Sequence, residues 1–112
     1  MKKATLTYRY KFEDNQYSVI CLDWENLVYT CAETVKECYK NAIEATQLAI
    51  EAYNKKELIP AQQPKIKERN TLKDNEFQIT FDFERVQPLD IKIGQRLKYT
   101  KEFTNQLQPV LA

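Results

Sequence analysis

Residues 76–84 read E-F-Q-I-T-F-D-F-E. Phe77, Ile79, Phe81 and Phe83 fall on one side, and Gln78, Thr80, Asp82 and Glu84 on the other. Unbroken period two with aromatic and β-branched residues predicts a half-buried strand. A face this aromatic must be covered by another apolar element, and that need narrows the fold. The stretch best able to cover it runs from 35 to 53. There Val35, Cys38, Ala42, Ala45, Ala49 and Ala52 recur at three or four residues, widened by Tyr39, Ile43, Thr46, Ile50 and Tyr53. That spacing predicts one long amphipathic helix, and its small alanines allow close approach to a sheet. Thr34 is placed as the N-cap with Glu37 three residues on, a capping box. The helix is expected to end near 54–57, where Lys55 and Lys56 suit the negative end of the dipole.

Upstream, residues 5–12 place Leu6, Tyr8, Tyr10 and Phe12 on one face and Thr5, Thr7, Arg9 and Lys11 on the other. A turn over 13–16 and a second strand over 17–22 make this a hairpin. A break at 23–26 precedes a short third strand over 27–30. After the helix, Pro60 and Pro64 favour extended backbone in a connector over 58–75. A further short strand is placed at 89–93 and a thinly striped helix at 95–108, carrying Leu97, Phe103 and Leu107. The order strand, strand, strand, helix, strand predicts an α+β two-layer sandwich, an antiparallel sheet backed by one long helix. The expected division is an α+β domain over 1–85 and a C-terminal tail or dimerisation arm over 86–112.

Composition narrows the chemistry. The 112 residues include no histidine and one glycine, Gly94, with a formal net charge of +1. Ser-His and Cys-His nucleophile pairs, most zinc sites and glycine-rich phosphate loops are therefore excluded. No global charge bias draws the chain to nucleic acid or membrane. No apolar run approaches a membrane span, and the opening M-K-K leads into an alternating strand rather than a signal peptide. Cys21, Cys31 and Cys38 form no CxxC and are read as small reduced core residues, which points to the cytoplasm. No cofactor is expected.

The order of these pieces resembles the HicB antitoxin family over residues 6–84. Its members open with a tyrosine-rich hairpin, continue through a Thr-x-x-Glu-Ala-x-x-Asn-Ala-x-Glu-Ala helix and an Ile-Pro-x-Pro connector, and close on an apolar strand. The corresponding residues here are Thr34, Glu37, Cys38, Asn41, Ala42, Glu44 and Ala45, then Ile59, Pro60 and Pro64, then F-Q-I-T-F-D-F. The loop at 22–26 reads L-D-W-E-N where the family usually carries Pro-Asp-Leu-Pro-Gly. The resemblance implies a reduced ribonuclease H-like fold. It also implies a binding protein that neutralises a HicA-like ribonuclease toxin by covering the toxin's catalytic histidine and RNA surface.

Three sets of residues are candidates for function. Asp23, Trp24 and Glu25 form an acidic loop around the only tryptophan, suited either to anchor a basic partner or to plug the open end of the sheet. Lys92, Arg96, Lys98 and Lys101 in the tail could touch phosphate, with a solvated face as the plain alternative. The tail begins like a ribbon-helix-helix, yet no sequence remains for a second helix, so DNA binding is not favoured. Asp23, Glu25, Asp82 and Glu84 would be the carboxylates of a two-metal nuclease, but nothing in the sequence makes them converge, and no enzyme is expected.

The basic connector lacks the interleaved aromatics of single-strand binders and is read as a solvated loop. A homodimer is expected from unpaired strand edges. The alternative functions are a stand-alone HicB-fold protein of a mobile element, inhibiting another nuclease or serving in assembly, and a weak RNA-binding module. The RNA module would need Tyr8, Tyr10, Phe81 and Phe83 as a platform, but the core needs them too.

Overall fold

The computed structural model describes residues 2–94. Five strands form one sheet in the order β3-β2-β1-β4-β5, and every neighbouring pair is antiparallel. They are β1 (Lys3–Glu13), β2 (Gln16–Cys21), β3 (Tyr29–Ala32), β4 (Glu76–Asp82) and β5 (Gln87–Ile93). One helix, α1 (Val35–Asn54), backs the sheet, giving the two layers that the alternation demanded.

β1 and β2 meet through a two-residue turn. Asp14 and Asn15 both take positive φ, 52° and 62°, the geometry whose twist matches a tight hairpin. β3 begins two residues later than its alternation suggested. The cause is the loop before it: Leu27 and Val28 both donate their N–H to Trp24 O, at 3.1 and 2.9 Å. That turn holds Val28 inward and delays the strand. β5 is hydrogen-bonded to β4 along its length, across a bulge at Thr80/Phe81, so the sheet continues past residue 85. The helix expected at 95–108 lies outside the described residues.

Thr34 Oγ1 accepts from Glu37 N at 3.1 Å, and the Glu37 carboxylate reaches back to Glu33 N at 3.3 Å. Both bonds satisfy donors at the helix N-terminus, although the return bond falls one residue before the cap. The other end closes as a Schellman motif. Glu57 N bonds to Ala52 O and Lys56 N to Tyr53 O, with Lys56 left-handed at φ 59°.

Between the layers, Leu6, Tyr8, Cys21, Phe77, Ile79, Phe81 and Phe83 meet Cys38, Tyr39, Ala42, Ile43, Ala49 and Ile50. Tyr8 stacks on Phe77 with centroids 4.9 Å apart. Its hydroxyl sits 2.6 Å from Thr46 Oγ1, which itself donates to Ala42 O at 2.7 Å. The threonine proton is thus committed to the helix, so Tyr8 is the donor of the pair. Burial pushes the Tyr8 phenol well above its ordinary value. Tyr8, Phe81 and Phe83 are therefore core and are not exposed for stacking on bases, while Tyr10 is half-buried.

Candidate functional site

The connector after α1 is more than a solvated loop. It makes one turn of 3-10 helix at Pro60–Gln62. It then crosses the sheet face opposite the helix, from the loop after β2 to the end of β5. Asp23 fixes its start. The buried Asp23 carboxylate accepts from Thr7 N at 2.8 Å, Lys67 N at 3.1 Å and Arg69 Nη1 at 2.6 Å, while its backbone oxygen accepts from Lys65 N at 2.7 Å. Midway, Gln78 Nε2 donates to Thr7 Oγ1 and to Arg69 O. At the far end Glu76 accepts from Lys73 N at 2.9 Å and from Arg9 Nη2 at 2.9 Å.

This strap buries Thr7, Glu76 and Gln78 on a face where polar residues would otherwise meet water. Every one of those polar groups is satisfied, as burial requires. Gly94 is the position where the strap and β5 touch. A side chain there would collide with the Lys73 and Glu76 carbonyl oxygens, so the chain's one glycine is set by close approach.

Trp24 is a plug and not an exposed anchor. It is 2 % exposed, lies parallel to Phe83 at 6.3 Å, meets Tyr53 edge-on, and donates Nε1–H to Gln62 O at 2.6 Å. Asp23 is buried as well, held by the strap. Of the three loop residues expected to face a partner, only Glu25 is exposed. The reason is geometric: β1 extends past the end of β2, and the loop folds over its bare residues to close the sandwich. A polar groove of about 220 Å³ remains beside it, walled by Glu25, Asn26, Lys65 and Lys67.

Lys92 is exposed on β5, while Arg96, Lys98 and Lys101 lie outside the described residues. The four carboxylates do not gather. Asp82 folds back on its own turn, accepting from Glu84 N and Arg85 N at 2.9 and 3.1 Å, while Asp23 holds the strap. Among the described residues no group of three or more His, Cys, Asp or Glu stands close enough to hold a metal ion. Cys21 and Cys38 are core residues, their thiols pushed by burial up to about 12 and about 11. Cys31 departs from the expectation and is exposed. No helix among the described residues is long and apolar enough to cross a membrane.

The strap buries Thr7, Glu76 and Gln78 at the centre of its face, leaving Thr5, Asp90 and Lys92 exposed beyond it and the β2–β3 side open. There Ile20 and Tyr29 pair across the strands, 37 % and 70 % exposed. Register places Cys31 and Ser18 beside them on the same face. Sequence reasoning missed this surface. The signal was present in Tyr29 and Ile20 taking the polar side of their strands, but it needed the register of β2 on β3 to be seen. Comparison of the chain with protein-family models, curated proteins and solved structures gives no match.

Proposed function

We propose that the chain is a HicB-like antitoxin-type binding protein that neutralises a HicA-like ribonuclease by steric occlusion. The observation carrying this reading is the uncovered β2–β3 part of the face, where Ile20 and Tyr29 stand exposed side by side next to the strap. Adjacent apolar and aromatic residues left bare on a sheet face mark a contact surface. Glu25, exposed in the loop that joins the same two strands, supplies a negative charge suited to a basic partner. The Thr34–Glu37 cap, the Ile59–Pro60 turn and the closing strand stand in the family's order, which supports the same reading.

The test is affinity capture of the tagged chain from its native host, with mass spectrometry and light scattering on the eluate. A stoichiometric small basic ribonuclease is expected. Its RNA cleavage should stop when the chain is added back, and Tyr29→Ala should weaken the complex. Elution with no protein partner would overturn the reading, as would a partner whose cleavage continues unchanged in the complex.

A further inference from the structure

The two edges of the sheet differ. β3 has four residues, and Asn41 Nδ2 occupies the Cys31 carbonyl at 2.8 Å. That edge is short and blocked by the helix, the usual protection against pairing. β5 has seven residues, and among the described residues nothing bonds to its outer side. The ladder tells which groups face out. Gly94 N donates to Glu76 O at 2.6 Å, and register sets Lys92 opposite Gln78 and Asp90 opposite Thr80. In an antiparallel ladder alternate residues bond to the same neighbour. Asp90 and Lys92 therefore spend their backbone groups on β4, and Ile91 and Ile93 turn theirs to solvent; Leu89 is the extra residue of the bulge, between Pro88 opposite Phe81 and Asp90 opposite Thr80.

We propose that the β5 edge pairs with the same edge of a second copy, antiparallel about a two-fold axis at Ile91, to make one continuous sheet. The sequence D-I-K at 90–92 is self-complementary about that axis. Ile91 meets the partner's Ile91, Asp90 meets the partner's Lys92, and Ile93 lies against the partner's bulge at Leu89. Ile91 carries outward N–H and C=O groups, so it forms the central hydrogen-bonded pair. The charged positions flank it, where cross-strand side chains stand closest. Neither Asp90 nor Lys92 has an ion pair among the described residues. Moving the axis to Asp90 or to Lys92 would set like charges opposite each other, which disfavours those registers. Leu89, 48 % exposed, would be covered. This inference stands independently of the toxin-binding reading.

Sedimentation equilibrium of the full chain tests it. The unsubstituted chain should dimerise. Asp90→Lys and Lys92→Asp should each weaken the dimer by roughly tenfold at low salt, because two cross-strand pairs become repulsive. The double exchange Asp90→Lys with Lys92→Asp should restore it. Ile91→Pro removes an outward N–H but no bond to β4, and should give a monomer with an unchanged circular dichroism spectrum. Amide exchange at Ile91 and Ile93 should slow as protein concentration rises. A monomer at all concentrations, a dimer indifferent to these variants, or exchange at these amides independent of concentration would each overturn the proposal.

Discussion

Arg69 Nη1 lies 2.6 Å from Asp23 Oδ1, and this pair ties the loop closing the sandwich to the segment crossing its face. Asp23 is fully buried and Arg69 mostly so. Two backbone donors complete the carboxylate's shell, so three separate pieces of chain meet at one side chain.

Asp23→Ala should therefore destabilise the protein by about 3–5 kcal/mol, the range for removing one member of a buried pair. Arg69→Ala should cost less, about 1–3 kcal/mol, because Thr7 N and Lys67 N still serve the carboxylate. Urea unfolding measures both, and limited proteolysis should cut the strap faster in either variant. A neutral Arg69→Ala with an uncut strap would show that the backbone contacts alone hold the segment.

Trp24 and Tyr29 should separate stability from binding. Trp24→Ala empties a packed site and leaves the Gln62 carbonyl without its donor, so about 3–5 kcal/mol of stability should be lost. Tyr29→Ala, on an open surface, should stay within about 0.5 kcal/mol of the parent. Thermal unfolding of the two variants checks this ordering. Equal losses would mean that Tyr29 carries packing of its own.

Much of this fold could be read from alternation. The apolar faces of 5–12 and 76–84 and the helical stripe at 35–53 are local patterns, and most of the residues they promised are buried or half-buried; Phe12, 58 % exposed at the hairpin end, is the exception. The strap could not be read this way. Residues 65–73 are polar apart from Ile66 and Leu72 and carry no period, and what ties them down is a contact between Asp23 and Arg69, 46 residues apart. For the same reason Trp24 left two readings open, since its neighbours Phe83 and Gln62 come from distant segments. The open half-face was hidden differently. Ile20 and Tyr29 are ordinary strand residues until the register puts them side by side on the uncovered face.

The three cysteines should differ sharply in reactivity. Cys21 and Cys38 are buried, with thiols raised to about 12 and about 11, so almost no thiolate forms near pH 8. Cys31 is exposed. Iodoacetamide on the native protein should add one group by intact mass, at Cys31, and reach all three only in denaturant. Fast labelling of Cys38 in the native state would mean that the N-terminal turn of α1 opens readily.

Lys56 occupies the left-handed position of a Schellman motif that glycine fills at least cost. Lys56→Gly should stabilise the protein by about 1 kcal/mol, offset in part by the freer unfolded chain. The urea midpoint should rise with no change in slope. A fall would show that the lysine side chain makes a compensating contact over the helix end.

Glu76 links the strap to acid stability. Burial by itself would raise its carboxyl. The Lys73 N–H, the Arg9 hydrogen bonds and the charges of Arg9 and Lys73 outweigh that burial and hold it below the ordinary 4.5. A carboxyl whose folded value is depressed binds its proton more readily in the unfolded chain. Its contribution to stability is then complete above about pH 4.5 and fades as pH falls through the lower folded value. Urea midpoints should hold steady from neutral pH down to that point and then decline. Glu76→Gln cannot titrate, so its decline below pH 4.5 should be shallower than the parent's. Arg9→Met should also flatten it, by removing one source of the depression while leaving Lys73 N in place. Identical acid profiles for the parent and Glu76→Gln would assign the acid sensitivity to other carboxylates and leave Glu76 as a purely geometric clasp.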